Sequence, residues 1–84
     1  MEYFAKAIEI DPGTPVSYIN RGNAYFNMQD YERAITDFSK AIKLDPSYAI
    51  AYLNRGIVYR FLGETVQAEA DFAKYKELTG QDAP

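Results

Sequence analysis

The 84-residue sequence contains neither cysteine nor histidine. Without cysteine, the chain has no disulfide framework and no thiolate chemistry for metal binding or redox reactions. Because histidine is missing as well, zinc sites of the usual types, Ser-His triads and Cys-His dyads are excluded. The composition therefore argues against most enzymes, and we expect no catalytic residue, no metal and no cofactor.

The sequence also lacks an excess of positive charge and a long hydrophobic run. The sequence has nine lysines and arginines and twelve aspartates and glutamates, which gives a net charge of −3. The basic residues are not clustered, so we expect neither nucleic acid nor an anionic membrane as a partner. The longest apolar stretches, such as 49–53, are too short for a signal peptide or a membrane span. These features predict a cytoplasmic protein.

The most informative feature is a repeat with an interval of 34 residues. Within residues 18–44, ten residues recur unchanged at this offset: Tyr18, Asn20, Arg21, Gly22, Tyr25, Ala34, Asp37, Phe38, Lys40 and Leu44. So many matches in one register indicate tandem structural units. They divide the chain into a half unit, 1–14, and two whole units, 15–48 and 49–82.

Within each unit, the apolar residues recur three and four positions apart, which is the period of an α-helix. Thr14 followed by Pro15 is typical of a helix N-terminus, and Asp30 is a second candidate N-cap. Gly63 can adopt the left-handed conformation that ends a helix. We therefore predict five helices, at about 1–10, 15–28, 31–44, 48–62 and 65–78.

Small residues indicate how the helices of one unit pack. Gly22 and Ala34 lie on facing stripes of two consecutive helices, and Gly56 and Ala68 repeat them in the next unit. The absence of bulk at these positions lets the helix axes approach closely. We expect Phe38 and Tyr25 to fill the space on either side of this contact.

The pattern resembles the signature of the tetratricopeptide repeat over essentially the whole chain. The matching residues are Tyr18, Gly22, Tyr25, Ala34, Phe38, Ala41 and Pro46, followed by Tyr52, Gly56, Tyr59, Ala68 and Phe72. The resemblance implies an all-α solenoid of about five helices in antiparallel pairs, wound into a right-handed superhelix. It also implies a protein or peptide partner, bound in a concave groove lined by the first helix of each pair.

The sequence departs from this family pattern at four positions. Arg21 and Arg55 stand where the family usually has leucine, and Tyr75 and Gly80 replace the residues that Ala41 and Pro46 match. Each arginine recurs together with an aspartate, at Asp37 and Asp71. Three alternatives account for this recurrence: an ion pair within each unit, a bridge from Asp37 to Arg55 between units, or an arginine that binds a ligand.

The groove face of the two first helices gives the candidate binding residues. They are Val16, Ile19, Asn20, Asn23, Asn27, Ile50, Leu53, Asn54, Ile57 and Phe61. Asparagine offers both a donor and an acceptor to a peptide backbone and is mildly unfavourable inside a helix, which favours ligand contact for these residues. The aliphatic residues either contact the ligand or pack between neighbouring helices, and the sequence leaves both alternatives open.

A second function is compatible with the same helix. Ile50, Ile57 and Phe61 point away from the tyrosine face of the predicted helix 48–62 and would leave an exposed apolar patch. The alternative to peptide binding is therefore self-association into homo-oligomers, through this patch or through the predicted helix 1–10.

Some tetratricopeptide domains hold the C-terminal carboxylate of heat-shock chaperones in a clamp of lysine, asparagine and arginine side chains. Asn20 matches one clamp asparagine, but Ile50 and Asn54 occupy the positions where the clamp needs its cations. We therefore expect no tight carboxylate clamp. In the last predicted helix, Glu69 and Lys76 replace apolar residues of the preceding unit, and this substitution predicts that the array ends here.

Overall fold

The computed structural model describes residues 14–84, which contain four α-helices and no strand. The helices are α1 (Pro15–Asn27), α2 (Tyr31–Leu44), α3 (Ala49–Phe61) and α4 (Thr65–Thr79). Their bounds agree with the predicted helices to within one residue at either end. The predicted helix 1–10 lies outside the described residues.

Two of the predicted helix caps form in different ways. Thr14 occupies the N-cap of α1 with Pro15 in the first turn, but its hydroxyl donates to Ser17 Oγ at 2.8 Å instead of accepting from the backbone. Asp30 is a conventional N-cap, since its carboxylate accepts a hydrogen bond from the Arg33 backbone N–H at 3.4 Å. The sequence therefore located the starts of both helices. Only Asp30 accepts the backbone N–H hydrogen bond that is expected of an N-cap side chain.

The turns inside the two helix pairs share one geometry. The Asp30 N–H donates to the Tyr25 carbonyl at 2.9 Å, and the equivalent bond closes the second turn at 2.9 Å. Gln29 has a φ of 62°, and Gly63, 34 residues further on, has a φ of 77°. Glycine adopts this left-handed conformation freely, whereas Gln29 adopts it at a conformational cost.

The helices form two hairpins, α1 with α2 and α3 with α4, and the hairpins pack side by side through α2 and α3. Small side chains lie at the closest contacts, because Ala34, Ala41 and Ala51 are completely buried. Phe38 and Val58 fill the space around them. This core holds α1 and α3 next to each other along one side of the stack.

The ring of Phe38 packs directly on Gly22. The sequence predicted only that Phe38 would lie beside the contact between Gly22 and Ala34. A Cβ on Gly22 would lie 2.6 Å from Cε1 of the Phe38 ring. At Gly56 the corresponding distance, to Cε1 of Phe72, is 2.7 Å. The recurring glycines therefore make room for an aromatic ring of the partner helix.

The surface of α4 is largely polar. Glu69 and Lys76 are both exposed, as the sequence pattern predicts for that face. Within residues 14–84, every helix is too short or too polar to cross a bilayer.

Candidate functional site

Two asparagines from different repeats meet on the side formed by α1 and α3. Asn54 Nδ2 donates a hydrogen bond to Asn23 Oδ1 at 3.1 Å, although the residues are 31 positions apart in the chain. Asn23 is exposed and Asn54 is half-buried. The contact joins two of the predicted groove residues into one polar surface that bridges both repeats.

A small cavity opens beside this amide pair. Its volume is about 80 Å³, and its lining consists of Asn23, Phe26, Phe38, Asn54 and Ile57. None of these side chains is charged, and Phe38 is fully buried behind the cavity. The arrangement is an apolar recess with uncharged hydrogen-bonding groups next to it.

The remaining predicted asparagines lie on the surface of α1. Asn20 and Asn27 are both exposed. Asn20 is one turn before Asn23 along the helix, so the two amides share one face of α1. A ligand lying along α1 would therefore meet several neutral amides in succession.

The predicted apolar residues divide into three groups by exposure, of which the first is Ile57, half-buried and lining the cavity. Val16, Ile50 and Phe61 are exposed, and Phe61 retains 63% of its accessible surface. Ile19 and Leu53 are only 6% and 9% exposed, so both are core side chains. For these two, the structure favours packing between helices over ligand contact.

An aromatic cluster of Phe26, Tyr31 and Phe61 was only partly foreseen from the sequence. The Phe26 and Phe61 rings are nearly perpendicular, with centroids 5.2 Å apart. Phe26 lies 5.6 Å from Tyr31, and the Tyr31 and Phe61 rings stack at 6.1 Å. Phe61 was a candidate, but Phe26 and Tyr31 were missed. None of the three is repeated at the 34-residue interval, so repeat analysis gave no signal for the cluster.

The recurring arginines form ion pairs within each repeat. Arg21 Nε and Nη2 donate to the two carboxylate oxygens of Asp37, both at 2.8 Å. Arg55 and Asp71 make the same bidentate pair, also at 2.8 Å. The first of the three alternatives is therefore the observed one, and Asp37 does not bridge to Arg55.

Each of these guanidinium groups also lies between two tyrosine rings. Arg21 is 6.0 Å from the ring centroid of Tyr18 and 5.7 Å from that of Tyr25. Hydrogen bonding to Asp37, opposed by burial and supported by the charge of that carboxylate, raises the pKa of Arg21 above its ordinary value. The arginine thus serves as a permanently charged packing element between the helices of one repeat.

The second arginine adds a contact between repeats. Arg55 Nη1 donates to Ser39 Oγ at 3.1 Å, which links α3 to α2. With Asp71 and Ser39 as partners, the guanidinium is committed to structural bonds. These contacts weigh against a ligand-binding role for Arg55.

Acidic side chains do not gather into a metal site in the described part of the chain. Among residues 14–84, no group of three or more aspartates and glutamates is placed to hold an ion. Every buried side-chain nitrogen and oxygen of these residues has a hydrogen-bond partner.

Solved structures similar to this chain include several tetratricopeptide (TPR) domains and proteins. The Arabidopsis OM64 TPR domain has a TM-score of 0.92 at 28% identity, with 96% of this chain and 67% of that chain covered. The second TPR of Spaghetti (RPAP3), bound to the HSP90 peptide SRMEEVD, has a TM-score of 0.85 at 36% identity, with 92% of this chain and 67% of that chain covered. YrrB, described as a TPR protein with an unusual peptide-binding site, has a TM-score of 0.86 at 34% identity. The match covers 90% of this chain and 39% of YrrB.

Family profiles agree with the structural similarity. A profile described as TPR repeat matches residues 22–63, which is half of the chain, and one described as tetratricopeptide repeat matches residues 3–36. The predicted all-α solenoid of paired helices is confirmed. The chain belongs to the tetratricopeptide-repeat family, and this membership explains the 34-residue interval, the two stacked hairpins and both profile matches.

Proposed function

We propose that this chain is a non-catalytic interaction module that binds a peptide segment of a partner protein in the groove along α1 and α3. The observation that carries the proposal is the hydrogen bond from Asn54 to Asn23 at 3.1 Å. It places neutral amides from two repeats on one surface, next to an apolar recess.

The amide chemistry suits a peptide backbone. A side-chain amide has two N–H donors and one carbonyl acceptor, so the bond between Asn23 and Asn54 leaves donors and acceptors on both residues unused. A peptide group needs one donor and one acceptor from its binding site. Asn20, exposed one turn earlier on α1, provides a further contact along the same line.

Similar proteins support the same function. The second TPR of Spaghetti (RPAP3) is described as bound to an HSP90 peptide, and YrrB as having a peptide-binding site. The present chain spans 67% and 39% of those two chains, so both are longer than the part that this chain matches. We therefore assign to this chain the part of the groove that two neighbouring repeats build together.

Selection from a random displayed-peptide library tests the proposal. Peptides enriched on the immobilised chain are synthesised, and their affinities are measured by calorimetry with the chain and with Asn54→Ala. Loss of the Asn54 amide should weaken binding about tenfold, because one to two hydrogen bonds of about 0.5–1.5 kcal/mol each disappear.

Gln67→Ala provides the matched control, since Gln67 is an exposed amide on α4, away from the groove. We expect this variant to bind with unchanged affinity. Failure to enrich any peptide, or equal losses in the two variants, would contradict the proposed groove.

Self-association is the second candidate function, and one observation favours it. Phe61 is 63% exposed although it belongs to an aromatic cluster with Phe26 and Tyr31. An exposed ring of this kind is typical of interaction surfaces. A second copy of the chain would cover Phe61 without using the amide pair.

A further inference from the structure

The second hairpin, α3 with α4, has a face whose counterpart on the first hairpin is covered. On the first hairpin, α3 packs on this face and Phe38 is fully buried. Phe72 is the equivalent of Phe38 at the 34-residue interval, and it is only half-buried. Within residues 14–84, no helix follows α4 to cover this ring. We call the side of the second hairpin that carries Arg60, Phe72 and Lys76 the open face.

Arg60 lies over the half-buried ring on the open face. Its guanidinium carbon is 5.2 Å from the ring centroid of Phe72, close enough for the cation to be attracted to the ring. Arg60 Nη1 also donates to the Pro84 carbonyl oxygen at 3.5 Å. Because α4 ends at Thr79 and Arg60 is near the end of the antiparallel α3, the segment 80–84 runs back along the hairpin.

The segment 80–84 is turned back by its own backbone and held by an ion pair. Gly80 has a φ of 75°, the left-handed conformation that ends a helix, and its N–H donates to the Lys76 carbonyl oxygen at 2.7 Å. Lys76 Nζ pairs with Asp82 Oδ1 at 3.0 Å. Ala83 is half-buried, whereas the other four residues of the segment are exposed. The segment therefore has contacts with both helices of the second hairpin.

Both anchoring side chains occupy positions that α3 covers on the first hairpin. Arg60 corresponds to Phe26 at the 34-residue interval, and Lys76 corresponds to Ile42. Phe26 and Ile42 pack against the core to which α3 contributes. The segment 80–84 thus bridges two positions of the open face whose counterparts lie under the next helix.

We propose that residues 80–84 form a releasable strap, which covers the open face and keeps a second copy of the chain from stacking there. A second copy suits this face because α3, a helix of the same repeat, already packs on the equivalent face of the first hairpin. The strap is releasable because Lys76 and Asp82 are both exposed, and exposed ion pairs contribute little and are screened by salt. Stacking of this kind is head to tail, so it builds rows of copies instead of closed dimers.

Nuclear magnetic resonance relaxation of the ¹⁵N-labelled chain tests whether the strap is in place. We expect the backbone amides of residues 81–83 to have order parameters above about 0.6, the range below which a backbone is flexible. Asp82→Lys places two lysines together and should lower these values below about 0.6. The charge-swapped variant Lys76→Glu/Asp82→Lys should restore them. Gln81→Lys, which adds a lysine to the same segment and keeps the ion pair, is the control and should leave them unchanged.

Light scattering over a concentration series tests the effect of the strap on assembly. The chain truncated after Thr79 is compared with the unshortened chain, both carrying Phe61→Ser so that association through that ring does not contribute. We expect the truncated chain to exceed the mass of a dimer at high concentration, while the unshortened chain stays monomeric. Asp82→Lys, in which every residue of the segment is retained, should raise the mass in the same direction.

Two results would overturn the proposal. The first is a set of order parameters below about 0.6 for residues 81–83 of the unaltered chain, since the segment would then be free of the open face. The second is a monomeric mass for both the truncated chain and Asp82→Lys at every concentration. Neither result involves the groove along α1 and α3, so a failure of the strap is distinguishable from a failure of peptide binding.

Discussion

The ring of Phe38 lies directly on the backbone of Gly22. No β-carbon fits between them, since a carbon at that place would be 2.6 Å from Cε1 of the ring. Phe72 repeats the relationship at Gly56. This contact sets the spacing of the two helices in each hairpin, and it fixes the ring that forms the inner wall of the cavity between α1 and α3.

Substitution of this glycine should therefore destabilise the fold. Gly22→Ala would gain about 1 kcal/mol of helix propensity. It would also force Phe38 to move, and overpacking of this kind costs about 1–3 kcal/mol. We expect a net loss of about 1 kcal/mol in the free energy of unfolding, measured by denaturant titration.

The double variant Gly22→Ala/Phe38→Leu is the control for this prediction. Leucine withdraws the ring edge, so the added methyl group should cost less in the double variant than it does opposite phenylalanine. If Gly22→Ala alone were more stable than the unaltered chain, by about the gain in helix propensity, then the Phe38 ring would tolerate a methyl group at position 22, contrary to this prediction.

The pair of Arg21 and Asp37 should contribute more to stability than the surface pairs do. Asp37 is 2% exposed and Arg21 donates two hydrogen bonds to it. Asp37→Asn leaves the guanidinium without its carboxylate, and we expect a loss of about 2 kcal/mol in the free energy of unfolding. Because the Arg21 side chain keeps 27% exposure, the loss should stay below the loss of about 3–5 kcal/mol that is typical of fully buried pairs.

Glu77→Gln is the matched substitution at the surface. It breaks the Lys74–Glu77 pair, whose nitrogen and oxygen are 3.5 Å apart and well exposed. Such pairs contribute about 0–1 kcal/mol. Equal losses for Asp37→Asn and Glu77→Gln would contradict the structural role assigned to the buried carboxylate.

The absence of a carboxylate clamp remains a prediction, and the peptide SRMEEVD tests it. The side chains of Ile50 and Asn54 are uncharged, so neither provides a cation for a terminal carboxylate. We expect SRMEEVD and its C-terminal amide to bind with the same affinity, weaker than micromolar, in fluorescence titrations. Submicromolar binding of the free acid, with a clear loss for the amide, would show that a clamp exists.

Self-association through Phe61 predicts a mass that depends on concentration. If a second copy covers this ring, Phe61→Ser should shift the light-scattering mass at high concentration from dimer to monomer. Val66→Ser removes an exposed apolar side chain on α4 and should leave the mass unchanged. A monomeric mass for the unaltered chain throughout the series would exclude this alternative.

Sequence reasoning located the four described helices because helix period, caps and turn residues agree with one another. The 34-residue interval identified Gly22 and Ala34 as contact positions, since repetition separates a packing requirement from chance. It did not show that the Phe38 ring covers Gly22. The repeat interval indicates which positions of two helices face each other. Which side chain fills the space between them depends on the rotamers of the neighbouring residues.

The candidate site was predictable to a lesser extent. The exposed face of α1 follows from periodicity, and so does the position of Asn23 on it. The burial of Ile19 and Leu53 does not follow, because it depends on how closely neighbouring repeats approach. The contact of Phe26 with Phe61 joins residues that occupy different positions in their repeats, so only the folded stack brings them together.

Side-chain amide chemical shifts test the groove most directly. The ¹³C,¹⁵N-labelled chain is titrated with a peptide enriched from the library, and the amides of Asn23 and Asn54 are followed together with that of Gln67. The account predicts saturable shifts of both asparagine amides and of the Ile57 methyl groups, with Gln67 unmoved. Saturable shifts confined to α2 and α4, with Asn23 and Asn54 unmoved, would place the ligand elsewhere and contradict the account.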